Sequence, residues 1–175
     1  FLINKEIHEN LSLEEYKSFF QGNIYNALRN DGTLKKSHPN FQDIYTERTR
    51  NLLIPEILKE TIKKLSEKHT LTIISSTYTD SINNILKREG LITFFNDILG
   101  ADVDKSKIVK INKLLQKYNV KPHEAIFITD TVGDILEANE CNVESIAVTW
   151  GFHDKETLLK ANPGYIVENP ADLII

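Results

Sequence analysis

From Pro55 onward the chain alternates short, β-branched apolar runs with longer amphipathic stretches, and few folds admit that order. "LTIIS" (71–75), "AIFIT" (125–129), "SIAVT" (145–149) and "GYIV" (164–167) read as strands, the first two buried. Between them lie helical patterns. "PEILKETIKKLSEKH" puts Leu58, Ile62 and Leu65 on one face, with Pro55 suited to a first helical position. A second helix carries Ile82, Ile85 and Leu86, with Gly90 at its exit. A third, from about Ser106 to Tyr118, carries Ile108, Ile111 and Leu115. "DILEANE" is a short fourth, and Asn142 can take the left-handed exit that glycine usually fills. Strands that alternate with helices need right-handed crossovers and a parallel sheet covered on both faces. The expected class is α/β, doubly wound, over residues 55–175.

Residues 1–54 read as a small helical unit. Ser12 and Glu15 form a capping box, with Leu11 and Tyr16 placed for a hydrophobic staple. "YKSFF" and "NIYNAL" have helical spacing. Asn30-Asp31-Gly32 and His38-Pro39-Asn40 break the pattern, and a further helix is expected from Phe41 to about Ile54. At 175 residues the chain holds one core with an appendage. A net charge of −4 argues against nucleic-acid or anionic-membrane binding, and apolar runs of about five residues cannot span a bilayer. The single cysteine, Cys141, excludes an internal disulfide and fits a reducing, cytoplasmic setting. The five histidines are scattered, without metal-ligand spacing. There is no methionine, and the chain opens with Phe1-Leu2-Ile3, so an N-terminal piece is expected to be missing.

In open parallel sheets, ligands bind beyond the carboxyl ends of the strands. The strand ending at Ser75 is followed by Ser76 and Thr77. The strand ending at Thr129 is followed by Asp130 and, four residues later, Asp134. Lys105 and Lys107 stand at a helix start between them. Two carboxylates at that spacing can hold a hard divalent cation such as Mg2+, which keeps waters and phosphate oxygens in its shell. Serine hydroxyls and a lysine ammonium can take the remaining phosphate oxygens. Asp134 could instead cap the helix that follows it. An unpaired carboxylate after an apolar strand, as at Asp130, is costly unless it is used. No GxGxxG or P-loop motif occurs, so the tips suit a phosphoryl group and not a dinucleotide.

With these residues in place, the chain resembles the haloacid dehalogenase-like hydrolases, a superfamily dominated by magnesium-dependent phosphatases. "LTIISS", with Ser75, resembles their second motif, "DKSK" their third and "IFITDTVGD" their fourth, with Thr129 where glycine is usual. The tail "AVTWGFHDKETLLKANPGYIVENPADL" resembles the phosphoglycolate-phosphatase-like branch. The resemblance implies a core at 55–175 and a substrate-selecting helical cap at 1–54. It implies that Asp130 and Asp134 hold Mg2+, that Ser75 and Ser76 bind the phosphoryl group, and that Lys107 or Lys105 neutralises charge. Spacing back from Asp130 selects Lys105; helix phase, with Ile111, Leu114 and Leu115 on the buried side, favours Lys107.

The family's nucleophile lies in an Asp-x-Asp-Gly-Thr motif on a first strand. "DGTL" at 31–34 does not serve: Arg29 occupies the nucleophile position, and the preceding "NIYNALRN" is helical. The first motif is therefore expected upstream of Phe1, on a strand lying centrally between those ending at Ser75 and Asp130. The intact protein would hydrolyse a small phosphorylated metabolite through an aspartyl-phosphate, while this chain alone would be inactive. Two other classes fit less well. One is a phosphatase-like scaffold that never had the nucleophile. The other is a phospho-acceptor domain, whose lysine should end a late strand; none ends "SIAVT".

Overall fold

The computed structural model describes residues 12–30 and 52–174. The lead segment contains α1 (Leu13–Ser18), a 3-10 turn (Phe19–Gln21) and α2 (Ile24–Asn30). The capping box forms: Glu15 N–H donates to Ser12 Oγ, and Ser12 N–H to Glu15 Oε2. Leu11 of the expected staple and residues 41–51 of the expected third helix lie outside the described residues. Residues 52–55 are not helical, so no helix reaches Ile54.

The core then runs α3 (Glu56–Ser66), β1 (Thr72–Ile74), α4 (Thr79–Arg88), β2 (Asp97–Leu99), α5 (Lys107–Tyr118), β3 (Ile126–Thr129), α6 (Val132–Glu140), β4 (Glu144–Val148), α7 (Lys155–Leu159) and β5 (Tyr165–Val167). Pro55 sits one residue earlier than expected, as the N-cap of α3, where its fixed φ of −54° still fits. Gly90, at φ +71°, closes α4 as expected. Asn142 does leave α6 through a positive φ, and Asn119 and Asn162 do the same after α5 and α7.

All strand pairs are parallel. β1 pairs with β2 from Thr72↔Asp97 to Ile74↔Leu99. β3 pairs with β4 from Ile126↔Glu144 to Thr129↔Ala147, and β4 with β5 from Ile146↔Tyr165 to Val148↔Val167. The described residues thus form two half-sheets, β1-β2 and β3-β4-β5, with no ladder joining β1 to β3. β2 has no signature of its own. It is three residues long, begins with a charge, and becomes a strand through β1.

Helices cover both faces of the larger half-sheet. On one side α6 and α7 pack Val132, Ile135, Leu158 and Ala161 against Ala147. On the other, Leu65 of α3 and Leu173 pack against Ile146 and Val148. A third cluster joins Ile111 of α5 and Ala138 of α6 to Ile74 of β1 and Phe127 of β3. The half-sheets are therefore bridged by shared side-chain packing. Contrary to the expected burial of β3, Ile126 and Ile128 stay 49% and 43% exposed, because among the described residues β3 pairs only with β4 and nothing covers that face of it. Among the described residues no helix is long and apolar enough to cross a membrane.

Candidate active site at the strand tips

α5 reaches both half-sheets. Asp104 turns the chain into it by accepting from Ser106 N–H at 2.7 Å, and Ser106 Oγ caps it by accepting from Val109 N–H. Its inward face presents Lys107, Lys110, Ile111 and Leu114, all buried. Two lysines one turn apart therefore point inward with the apolar residues.

Lys107 Nζ forms an ion pair with Asp134 Oδ1. The other carboxylate oxygen, Oδ2, accepts from Thr129 Oγ1 at 2.9 Å. Asp134 does not cap α6; Thr131 does, with Oγ1 accepting from Asp134 N–H. Thr129, the departure from the family's glycine, thus has a use: its hydroxyl holds Asp134.

Lys110, fully buried, donates from Nζ to the carbonyl of Ser75 at 2.6 Å and to that of Gly100 at 3.3 Å. It clamps the tips of β1 and β2. Burial, helped by the charge of Lys107, pushes its ammonium down to about 8. Ser75 Oγ accepts from Thr77 N–H at 3.0 Å, which leaves the hydroxyl proton available for an incoming acceptor. Ser76 offers its carbonyl to Tyr25 Oη–H of α2 at 2.8 Å, and burial lifts the Tyr25 phenol to about 12.

Asp130 is held from the loop after β4. Its Oδ2 accepts from Phe152 N–H at 2.8 Å, and its backbone carbonyl accepts from His153 N–H at 3.1 Å. A side chain at Gly151 would strike the Asp130 carboxyl group, so only glycine permits this approach. Oδ1 of Asp130 accepts no hydrogen bond among the described residues and faces no cation there.

The lead segment docks over this region. Tyr16, Phe20 and Phe152 pack edge to face or tilted, with centroids 4.5–5.8 Å apart. The buried His153 ring receives Val132 N–H at Nδ1 and so donates from Nε2 to the carbonyl of Lys17.

Of the residues expected from sequence, Lys107 and Asp134 meet directly. Ser75 and Asp130 cap neighbouring half-sheets that α5 and its packing hold together. Lys105 does not join them: it is exposed, with Nζ 5.4 Å from the centre of the Tyr25 ring. Lys110, Tyr25 and the Phe152 amide were not expected. For Lys110 the only signal was its position three residues after Lys107 on the same helix face.

The donors fit a magnesium ion. Asp130 offers a carboxylate oxygen with no partner among the described residues, and Asp134, four residues on in the first turn of α6, offers hard oxygens that Lys107 and Thr129 hold in place. Among the described residues no group of three or more acidic, histidine or cysteine side chains gathers as a metal cage.

All strand pairs are parallel, and Ser75, Lys107, Asp130 and Asp134 stand at or beside their carboxyl tips. The haloacid dehalogenase-like hydrolase family model matches residues 2–148, and the chain belongs to that family. The phosphoglycolate phosphatase of Vibrio parahaemolyticus is 28% identical over 140 residues, covering 77% of this chain and 61% of its own. Pyrophosphatase PpaX of Bacillus pumilus is 28% identical over 123 residues, covering 68% and 57%. The chain thus spans about three-fifths of the length of these curated relatives. Among solved structures, a haloacid dehalogenase-like family protein from Streptococcus pneumoniae superposes with a TM-score of 0.67 at 26% identity, over 82% of this chain and 74% of that one. A predicted phosphatase from Clostridium acetobutylicum reaches 0.76 at 22% identity, over 99% and 85%, and shares the fold.

Proposed function

We propose that this chain is the cap and most of the core of a magnesium-dependent phosphatase acting on a small phosphomonoester. The observation that carries the reading is the pair of lysines on α5. Lys107 meets Asp134 beyond β3, and Lys110 meets the Ser75 carbonyl beyond β1, so one helix organises both sides of an anion site. Among the described residues β1 and β3 each lack a ladder partner on the side toward the other, which supports a further strand between them. That strand, preceding Phe1, would carry the nucleophilic aspartate.

The reaction balances simply. An aspartate oxygen bonds to phosphorus, the ester P–O bond breaks, and the leaving alkoxide takes a proton from a second acid of the upstream motif. Water then cleaves the aspartyl-phosphate to release inorganic phosphate. Ser75 donates its free hydroxyl proton to a phosphoryl oxygen. Lys107 supplies positive charge to the nucleophile and the transferring group while it orders Asp134. Asp130 and Asp134 would hold Mg2+, which would supply positive charge to offset that of the phosphoryl oxygens. Residues 1–54 form the cap that excludes water and selects the substrate. The free, buried Cys141 accords with a cytoplasmic setting.

The test is turnover by the protein expressed with the residues that precede Phe1 in its reading frame. Phosphoglycolate and p-nitrophenyl phosphate should both be assayed, with and without Mg2+, beside Asp130→Asn. Mg2+-dependent phosphate release that Asp130→Asn abolishes supports the reading. No release from the longer protein overturns it and favours an inactive scaffold. Expressed alone, residues 1–175 should show no turnover.

A further inference from the structure

α6 carries a second buried carboxylate, which the proposed reaction does not use. Glu137 lies three residues after Asp134, so both leave the helix on neighbouring positions, and both contact Lys107. Glu137 is only 8% exposed. Its Oε1 accepts two hydrogen bonds of 3.0 Å, one from Lys107 N–H and one from Asn23 Nδ2. Lys107 opens α5, so its amide has no acceptor within the helix and depends on this carboxylate.

Asn23 is itself a junction. Its Oδ1 accepts from Tyr25 N–H at 3.0 Å, and its Nδ2 also lies 3.2 Å from the carbonyl of Lys105. Beside it, the carbonyl of Gly22 presses on Gly133 of α6 so closely that no Cβ would fit there. One carboxylate oxygen therefore holds the backbone of Lys107, whose ammonium sits on Asp134, together with a side chain from the lead segment.

We infer that Glu137 is a positioning residue that fixes the start of α5, and so Lys107, and couples it to the seating of residues 12–30. This role, which rests on the phosphatase reading of the Lys107 site, lets the docking of the lead segment be felt at the lysine. With Glu137 removed, the Lys107 amide is left buried without an acceptor and the first turn of α5 shifts. With Asn23 truncated, the same oxygen loses its second donor and the lead segment, so its hold on the Lys107 amide loosens.

The experiment compares Glu137→Leu, Glu137→Gln, Asn23→Ala and the Asn23→Ala/Glu137→Leu pair in the protein carrying its upstream residues. Glu137→Leu should lower kcat about tenfold or more with KM little changed, since misplacing a catalytic group by even about 1 Å costs up to about a hundredfold. Glu137→Gln keeps the acceptor oxygen and should restore kcat to within about threefold, and the pair should be no worse than Glu137→Leu alone. Amide exchange gives a readout independent of turnover. Lys107 N–H should exchange slowly in the parent and in Glu137→Gln, and fast in Glu137→Leu. In Asn23→Ala it should speed up although the substitution never touches Lys107. Multiplying effects of the two substitutions on kcat, equal losses in Gln and Leu, or a Lys107 amide indifferent to Asn23→Ala would each overturn the inference. If the parent shows no turnover, the phosphatase reading falls, and the exchange data alone decide the positioning role. Should Glu137→Leu fail to fold, Glu137→Gln and Asn23→Ala still decide it.

Discussion

Gly151→Ala isolates the contact that aims Asp130. Gly151 is exposed and does not have a positive φ, so alanine strains no backbone and fills no core. Its Cβ, however, would lie well under 3.0 Å from Cβ, Cγ and Oδ2 of Asp130. The collision involves the root of the side chain, so rotating the carboxylate does not relieve it; the strand tip or the loop must move. Overpacking of this kind costs about 1–3 kcal/mol. Losing the Phe152 N–H bond to a charged acceptor adds about 1.5 kcal/mol or more. The stiffer unfolded chain returns up to about 1 kcal/mol. A net loss of about 2 kcal/mol lowers the melting temperature of a chain this long by about 4–8 °C. Circular dichroism on thermal unfolding reads this directly, and calorimetric titration with Mg2+ should show weaker binding. Gly22→Ala, whose Cβ would meet nothing within 4 Å, is the control. A melting temperature unchanged within 2 °C, as judged against the ~4 °C expected minimum, refutes the claim that glycine is required by Asp130.

Three further outcomes are expected. Gly133→Ala drives a Cβ into the Gly22 backbone, which a helix-propensity gain of up to about 1 kcal/mol cannot offset; limited proteolysis should cut within residues 12–30 while the core melts almost unchanged, and an unaltered cleavage pattern counts against it. Lys110 titrates at about 8 when folded against 10.5 when free, so the unfolded chain binds more protons between those values and stability rises with pH across that window. The parent should therefore gain about 1–2 kcal/mol over Lys110→Met from pH 7.5 to 9.5 in urea unfolding, and parallel pH profiles would exclude it. Ser145 is fully buried and its hydroxyl has no partner among the described residues; Ser145→Ala should stabilise the fold by about 1 kcal/mol, and a lower melting temperature would contradict this.

The strand tips were legible because an apolar run that ends in Ser75 or Asp130 has a sharp boundary. Lys107 was legible from helix phase, since its burial follows from the apolar face of α5. Lys110 and Glu137 were not, because their partners are a carbonyl and an amide brought in by tertiary structure. Main-chain groups leave no mark in a sequence. β2 escaped for a related reason: three residues carry no period, and only pairing with β1 makes them a strand. Asn119 and Asn162 do carry a stop signal, since a proline follows each within three residues, at Pro122 and Pro163. Lys105 matches the family spacing, yet its ammonium lies over the Tyr25 ring and not beside Asp134.

The split sheet has a consequence for how this site is lost. Where two blocks of strands adhere through side chains, they can part without either one melting. In residues 1–175 expressed alone, mild denaturant should then pull the serine tip from the aspartate tip while far-ultraviolet signals stay near native, and restoring the upstream residues should abolish that early step.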